Sequence, residues 1–252
     1  MELAEKVAIV TGGAGGLGRA VCRRFAEKGA HVTVVDIAGD VEGVAREIGG
    51  IGVVADITRP EGVKAAIAAT ETRHGPVDLF VSNAGVGDNN GLSTPDVWDE
   101  LWRVHVMAHL LAAQALLPSM IERAEGYLVS TASGAALTAD PISAPYSVTK
   151  HAAFAFAEWL AMTYTDRGIR VSCFCPFAIR TPMLAQAPDG ADPAATGIEG
   201  AIEPEQAADA LVAGIRAEEF LILSHPEALT YFRGRAQDHD RWLRAMRRLA
   251  SG

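Results

Sequence analysis

The sequence predicts an α/β fold in which helices cover both faces of a doubly wound parallel sheet. Short apolar runs alternate with segments of helical periodicity along most of the 252 residues, which is typical of parallel strands buried between helices. A glycine-rich turn, Thr11-Gly-Gly-Ala-Gly-Gly-Leu-Gly18, directly follows the apolar run Val7–Val10. Because 49% of the residues are hydrophobic and 21% are charged, one sizeable core is expected, and residues 1–252 are interpreted as a single domain.

About seven strands and six main helices are predicted from the spacing of apolar residues. The strands cover Val7–Val10, Val32–Val35, Gly52–Ala55, Leu79–Ser82, Tyr127–Ser130, Val171–Cys175 and Phe220–Leu223. The helices cover Leu17–Lys28, Val41–Ile48, Glu61–Arg73, Asp96–Arg123, Tyr146–Asp166 and Pro204–Ala217. The segment Asp96–Arg123 is expected to break in its middle.

Composition argues against several classes of function. A formal net charge of −9 does not suit a protein that neutralises nucleic-acid phosphates. No apolar run approaches the length of a membrane span, and Met1–Lys6 lacks the pattern of a signal peptide. We therefore expect a cytoplasmic protein without a membrane segment. Cys22, Cys173 and Cys175 are interpreted as core thiols, with no disulfide framework and no metal site.

The C-terminal residues 226–252 are predicted to form a helical extension. Six arginines lie between Arg233 and Arg248. Trp242, Leu243, Met246 and Leu249 recur at spacings that place them on one helix face. We expect an amphipathic helix packed on the body or on a neighbouring subunit; a membrane-surface or nucleic-acid role is the alternative.

The glycine-rich turn is suited to a dinucleotide pyrophosphate. Gly12 and Gly16 permit backbone approaches that a Cβ atom would obstruct, and Gly18 lets the next helix pack on the strand. The amide groups at that helix start can meet phosphate oxygens. Asp36, at the end of the second strand, can accept hydrogen bonds from ribose hydroxyls and would repel a 2′-phosphate. The turn holds no basic residue before Arg19, so the sequence predicts NAD rather than NADP; a turn or cap role for Asp36 is the alternative.

Tyr146, Lys150 and Ser133 have the spacing of a proton-transfer site. Lys150 follows Tyr146 by one helical turn, and Ser133 lies thirteen residues upstream of Tyr146. Because a free phenol is a weak base at neutral pH, the nearby ammonium is expected to stabilise the phenolate. The serine hydroxyl can hydrogen-bond a substrate oxygen. The alternative is a surface pair on a helix and an unrelated serine at a strand end.

Together these motifs resemble the classical short-chain dehydrogenase/reductase family, from about Lys6 to Met183. The glycine spacing Gly-x3-Gly-x-Gly matches that family and its Rossmann-type fold. The resemblance implies hydride transfer between substrate carbon and nicotinamide, with Lys150 also binding the nicotinamide ribose. It further implies that Asp56 and Ile57 lie beside the adenine, and that Asn83, Ala84 and Gly85 support the cofactor. The full set of implied cofactor-binding residues is Gly12, Gly16, Leu17, Gly18, Asp36, Asp56, Ile57, Asn83, Ala84, Gly85, Tyr146, Lys150, Pro176, Ile179 and Thr181.

Two positions depart from the family pattern. His105 stands where the family usually has an asparagine, and Phe177 follows Pro176 where a glycine is usual. His105 is included among the candidate catalytic residues because a histidine can titrate near neutral pH; a substitution with no chemical part is the alternative. Phe177 is expected to narrow the space near the nicotinamide.

These features predict an NAD-dependent oxidoreductase that interconverts a secondary alcohol and a ketone. Leu137, Ile142, Phe177, Met183 and Leu184 suggest a mainly apolar substrate, covered by a loop over residues 184–203. The alternative is a catalytically silent dinucleotide-binding regulator or scaffold, and the glycine spacing disfavours an NAD-dependent dehydratase or epimerase. Apolar surface on Ala112–Leu117 and Ala152–Ala161 predicts a homodimer or homotetramer unless these residues face the sheet.

Overall fold

The centre of the protein is one sheet of seven parallel strands in the order β3-β2-β1-β4-β5-β6-β7. The computed structural model describes residues 1–37, 39–185 and 200–251. The strands are β1 (Val7–Thr11), β2 (His31–Asp36), β3 (Ile51–Val54), β4 (Leu79–Ser82), β5 (Gly126–Thr131), β6 (Ile169–Cys175) and β7 (Leu221–Leu223). The seven predicted strands are confirmed, with ends that differ by up to two residues.

Helices cover both faces of the sheet. They are α1 (Gly16–Glu27), α2 (Val41–Ile48), α3 (Pro60–His74), α4 (Pro95–Trp102), α5 (Ala108–Glu122), α6 (Ala135–Thr138), α7 (Ala144–Tyr164), α8 (Pro182–Ala185), α9 (Pro204–Ala217), α10 (Ala228–Gln237) and α11 (His239–Ser251). One core cluster joins α1, α2 and α9 to the sheet and includes Phe25, Val44 and Leu211. The other joins α3, α5 and α7 to the opposite face and includes Val63 and Leu116.

Strand order positions the functional end of the molecule. The chain runs outward from β1 to β3 and then returns to place β4 on the other side of β1. At such a reversal, the connections leaving the two neighbouring strands diverge to opposite faces and open a crevice at the carboxyl edge of the sheet. The glycine turn follows β1 at this edge, and the segment beginning at Asn83 follows β4.

The predicted break within Asp96–Arg123 is wrong. Residues 95–122 form one continuous helix, in which Arg103–Met107 adopts π-helical geometry between α4 and α5. A π-helical turn takes up an extra residue without ending the helix, and such turns are frequent at functional sites. The helix has the length and composition of a membrane span, with a mean hydropathy of 1.5, but its Leu116 and Met120 side chains are buried in the core of this fold.

The C-terminal extension consists of two helices rather than one. Asp238 separates α10 from α11, and its carboxylate accepts a hydrogen bond from the Arg241 amide at 2.9 Å. The α10 helix is fastened to the body because Arg235 Nη1 donates to the Leu137 carbonyl at 2.8 Å and to His151 Nε2 at 2.9 Å. Most of the predicted loop over residues 184–203 lies outside the described residues, which end at 185 and resume at 200.

Candidate active site

A cavity of about 740 Å³ opens at the carboxyl edge of the sheet. Its wall contains every predicted site residue except His105: Gly12, Gly16, Leu17, Gly18, Asp36, Asp56, Ile57, Asn83, Ala84, Gly85, Ser133, Tyr146, Lys150, Pro176, Ile179 and Thr181. These residues are spread over most of the chain, and the fold brings them to one space. The cavity therefore joins the predicted nucleotide end to the predicted proton-transfer end.

The glycine turn leaves room for a phosphate group. Gly12 and Gly16 have φ values of 65° and 50°, which lie in the region that favours glycine. A Cβ atom on Gly18 would lie 1.9 Å from the Gly12 carbonyl oxygen, so a side chain there would separate the helix from the turn. The helix α1 begins after Gly15 without a side-chain cap or an acidic residue in its first turn. Its amide end therefore suits an anion, and these residues fit a dinucleotide pyrophosphate.

Asp36 closes the other side of this turn. Its Oδ2 atom accepts a hydrogen bond from the Ala14 amide at 3.1 Å, and its Oδ1 atom accepts one from the Ile37 amide at 2.8 Å. The nearest arginine in the sequence after the turn, Arg19, forms an ion pair with Glu47 at 2.9 Å. Asp36 thus forms part of the cavity wall, and Arg19 forms its ion pair with Glu47.

Thr11 fastens the segment Asn83-Ala84-Gly85 to the end of β1. The Asn83 and Ala84 amides donate to Thr11 Oγ1 at 2.9 and 3.1 Å, and Asn83 Nδ2 donates to the Thr11 carbonyl at 2.9 Å. These bonds fix the cavity floor between β1 and β4. Sequence reasoning missed Thr11, although a polar residue at the end of an apolar strand was a visible signal.

Two other cofactor candidates are held by local contacts. Asp56 accepts hydrogen bonds from the Thr58 amide at 2.9 Å and hydroxyl at 2.6 Å. The Thr58 hydrogen bond lowers the pKa of the Asp56 carboxyl. On the opposite side, a Cβ atom added to Gly16 would lie 3.4 Å from Thr181 Cγ2, so Thr181 borders the glycine turn as the sequence predicts.

Ser133 and Tyr146 meet across the other end of the cavity. Ser133 lies between β5 and α6, while Tyr146 lies in the first turn of α7. Ser143, the residue before α7, caps the helix because its hydroxyl oxygen accepts a hydrogen bond from the Tyr146 amide at 3.2 Å. A hydrogen bond with the Ser133 side chain lowers the pKa of the Tyr146 phenol. Desolvation has the larger effect and raises the pKa of the phenol above its ordinary value. The two hydroxyl groups can therefore share one substrate oxygen.

Lys150 lies one turn after Tyr146 on α7, and its Nζ atom is 5.7 Å from the centre of the tyrosine ring. Nζ donates to the Thr131 carbonyl at 3.2 Å, and burial lowers the pKa of Lys150 to about 8. The lowered phenol pKa expected from this lysine is not seen, because desolvation of the phenolate has the largest effect on the pKa of this partly buried tyrosine. Close behind Lys150, Cys173 and Cys175 are fully buried, with their sulfur atoms 3.9 Å apart.

His105 lies in the π-helical segment, beneath the cavity rather than in its wall. Its Nε2 atom accepts a hydrogen bond from the Val86 amide at 3.2 Å, so the proton resides on Nδ1, which lies 2.9 Å from Thr149 Oγ1. The His105 and Tyr146 rings meet edge to face with centres 5.5 Å apart. Burial lowers the pKa of His105 well below its usual range. This geometry disfavours titration near neutral pH and gives His105 contacts with the loop after β4 and with α7.

Phe177 packs over the glycine that follows Ser133. A Cβ atom on Gly134 would lie 2.4 Å from the Phe177 ring, and the other side of the phenylalanine ring meets His225 with centres 6.1 Å apart. The Phe177 amide donates to Ser224 Oγ at 3.1 Å. Phe177 is therefore held against the cavity wall beside Ser133 by residues from the end of β7.

The remaining apolar candidates divide into two groups. Ile142, Phe177, Met183 and Leu184 line the cavity. Leu137 does not, because α6 directs its fully buried side chain into the core under α7. The prediction that Leu137 lines the cleft is wrong.

Sequence reasoning also missed two acidic residues in the cavity wall, Asp88 and Asp140. Asp88 accepts hydrogen bonds from the hydroxyls of Ser93 and Ser143, each at 2.7 Å, and so ties the loop after β4 to the start of α7. Asp140 lies in the connection between α6 and α7, where its Oδ1 atom accepts from the Ile142 amide at 2.8 Å. A carboxylate six residues before Tyr146 was visible in the sequence, but the direction of the connection was not.

Comparison with known proteins settles the class of the chain. The model of the short chain dehydrogenase family matches residues 6–192. The chain belongs to this family. Matched residues include the glycine turn, Asp36, Ser133, Tyr146 and Lys150, so the classical short-chain dehydrogenase/reductase resemblance and the Rossmann-type single domain are confirmed.

Relatives of this short-chain dehydrogenase are oxidoreductases. Oxidoreductase UcpA of Escherichia coli (strain K12) is 34% identical over 228 residues, with 84% of this chain and 86% of that protein covered. The structure of a 3-ketoacyl-(acyl-carrier-protein) reductase from Brucella melitensis complexed with NADH aligns with a TM-score of 0.80 and 31% identity, covering 88% of this chain and 97% of that one. An L-sorbose reductase from Gluconobacter frateurii, complexed with NADPH and L-sorbose, aligns with a TM-score of 0.76, 28% identity and the same coverage.

Proposed function

We propose that the protein is an NAD-dependent oxidoreductase that interconverts a secondary alcohol and a ketone. The observation that carries the proposal is the convergence of Ser133, Tyr146 and Lys150 on the same cavity as the glycine turn. A hydride carrier at one end and a proton-transfer group at the other are the two requirements of this reaction. The family comparison supports oxidoreductase chemistry.

Each of the three polar residues has a separate task. Ser133 donates a hydrogen bond to the substrate oxygen, and Tyr146 gives that oxygen a proton during reduction or removes one during oxidation. Lys150 keeps positive charge near the phenolate and binds the nicotinamide ribose. A nicotinamide bound beside these residues would supply or accept the hydride. His105 is a positioning residue in this scheme, because it touches Tyr146 and fixes α7 through Thr149.

NAD is the proposed cofactor on the grounds of charge. The carboxylate of Asp36 stands beside the glycine turn, where it would repel the 2′-phosphate of NADP. Arg19, the basic residue closest to the turn in sequence, is paired with Glu47. The family relatives bind either nicotinamide cofactor, since the two solved structures carry NADH and NADPH respectively.

The substrate is proposed to have a mainly apolar body. Ile142, Phe177 and Met183 line the same cavity as Ser133 and Tyr146, and burying an apolar group against them contributes favourably to binding.

A cytoplasmic homodimer or homotetramer is proposed as the working form. The α7 helix carries exposed apolar side chains, with Trp159 50% and Met162 79% exposed. Such a patch on a helix suits a symmetric contact between copies of the chain. Light scattering on the purified protein measures the mass that decides between monomer, dimer and tetramer.

The test of the reaction is absorbance of reduced nicotinamide across a panel of secondary alcohols and ketones, with NAD and NADP in separate assays. Turnover with NAD should fall at least about 100-fold in Tyr146→Phe, which removes the proton-transfer group, while NAD binding is retained. Tyr164→Phe, at the far end of the same helix, is the matched control and should keep full activity. NAD binding without turnover of any substrate would favour the regulator or scaffold.

A further inference from the structure

Asp140 places a negative charge beside the reacting groups. It precedes Tyr146 by six residues and lines the same cavity as Ser133 and Tyr146. Its carboxylate is close enough to Tyr146 to raise the pKa of the phenol electrostatically. Asp140 therefore borders the cavity in which a substrate would bind with its oxygen between Ser133 and Tyr146.

The charge of Asp140 has no basic partner among the residues that the structure describes. Its Oδ1 atom accepts from the Ile142 amide, and the Ser143 amide also stabilises the carboxylate. Burial and the nearby Asp88 carboxylate act in the opposite direction, and burial raises the pKa of Asp140. A partly buried carboxylate without a countercharge is costly, and a ligand cation would reduce that cost.

Within the described part of the chain, Lys150 is the only basic side chain in the cavity wall, and five acidic side chains accompany it: Asp36, Asp56, Asp88, Glu100 and Asp140. Lys150 donates to the Thr131 carbonyl. Asp36 and Asp56 belong to the nucleotide end in the proposed function. The Asp88 carboxylate accepts hydrogen bonds from the side chains of Asn90, Ser93 and Ser143. Glu100 is exposed on α4. Asp140, which is partly buried, is thus the acidic group best placed to bind a charged part of the substrate.

We propose that the substrate carries a cationic nitrogen, an ammonium or alkylammonium group, which binds to Asp140 while the reacting oxygen lies between Ser133 and Tyr146. Asp140 is then a specificity-determining residue, and substrates with a carboxylate at the corresponding position are rejected. This inference rests on the proposed oxidoreductase function and names its substrate class. It is compatible with an apolar body, since Ile142 and Phe177 line the same space.

Binding of such a cation also favours the chemistry. The Asp140 carboxylate opposes ionisation of Tyr146, and a positive charge bound against the carboxylate offsets this repulsion. Hydrogen bonds between charged groups are also about twice as strong as those between neutral ones. A cationic substrate therefore improves both its own binding and proton transfer by the phenol.

A purely structural role for Asp140 predicts something different. Because Oδ1 holds the Ile142 amide before α7, the residue could serve only to shape the connection. Asp140→Asn separates the two roles, since the amide oxygen still accepts that hydrogen bond while the negative charge is lost. Asp166→Asn, on the exposed turn after α7, is the matched control for loss of one negative charge.

The experiment compares ketones of one shape and three charges, reduced with NADH. The meta and para isomers of aminomethyl-acetophenone are cationic, ethyl-acetophenone is neutral, and acetylbenzoate is anionic. The wild type and Asp166→Asn should prefer the cationic ketones over the neutral ones by about 10- to 100-fold in kcat/KM, with the anionic ketones poorest. In Asp140→Asn this preference should fall to near one, because kcat/KM for the cationic ketones then no longer exceeds that for ethyl-acetophenone.

Two outcomes overturn the inference and leave the proposed function intact: reduction of ethyl-acetophenone as efficiently as its cationic analogues, or an unchanged preference in Asp140→Asn. If no ketone is reduced, the proposed function is in question, and binding to the protein–NADH complex decides the inference separately. Calorimetric titration with benzylammonium and with benzyl alcohol should then show tighter binding of the cation in the wild type and Asp166→Asn only. Equal binding in the wild type would overturn the inference.

Discussion

At the scale of single residues, the site depends on charges held in unfavourable surroundings. On α7, Lys150 is buried and Tyr146 is partly buried, and desolvation shifts the pKa of each toward its neutral form. Asp36 and Asp140 bring negative charge to the two ends of the same cavity. In the proposed function these few ionisable groups govern recognition of cofactor and substrate, and each of them can be changed separately.

Changing Asp36 should alter the choice between cofactors. Asp36→Ala removes the carboxylate that repels a 2′-phosphate, so the preference for NAD over NADP in kcat/KM should fall by about 10- to 100-fold. Asp36→Asn is the comparison variant because it loses the charge but keeps acceptor oxygen for the Ala14 or Ile37 amide. An unchanged preference in both variants would show that the carboxylate does not select the cofactor.

At the scale of secondary structure, the π-helical segment and α7 form one support for the proton-transfer groups. His105 contacts the Val86 amide after β4 and Thr149 on α7, while the Thr149 hydroxyl donates to the Pro145 carbonyl at 2.7 Å. The sequence identified residue 105 but placed a break in the helix that carries it.

Replacement of His105 should reduce the rate by misplacing Tyr146. His105→Asn shortens the side chain so that it reaches only one of its two partners, and we expect kcat to fall about tenfold while KM changes little. Because the pKa of His105 is well below its usual range, the rate should depend on pH in the same way near pH 6.5 in the wild type and in the variant. A change of rate near pH 6.5 in the wild type alone would instead support the hypothesis of a titrating catalytic histidine. His105→Gln, whose amide can reach farther, should recover part of the rate.

At the scale of the whole molecule, the sheet order creates the cavity and the burial that shifts these pKa values. The reversal between β1 and β4 opens the crevice, and the helices on both faces exclude water from beneath it. Because Lys150 is buried, its positive charge lowers the stability of the fold.

Lys150→Met should stabilise the protein while abolishing turnover. The folded-state pKa of about 8 lies below the reference value of 10.5, so the unfolded state binds more protons between these two pH values. Lys150 therefore lowers stability fully below pH 8, and this penalty disappears as the pH rises toward 10.5. The free energy of unfolding of Lys150→Met should exceed that of the wild type by about 3 kcal/mol at pH 7, and the difference should shrink above pH 8 in urea denaturation. A variant less stable than the wild type at pH 7 would contradict this account.

The sequence by itself determined the alternation of strands and helices, the glycine turn, and the spacing of Ser133, Tyr146 and Lys150. These features follow from local periodicity and short motifs, which involve residues near one another in the chain. Only the tertiary structure decided that Leu137 enters the core, that residues 95–122 continue through a π-helical turn, and that Asp140 faces Tyr146's cavity. It also gave the direction of each pKa shift. The physical reason is that burial and side-chain direction depend on contacts between residues far apart in the chain, which no local pattern encodes.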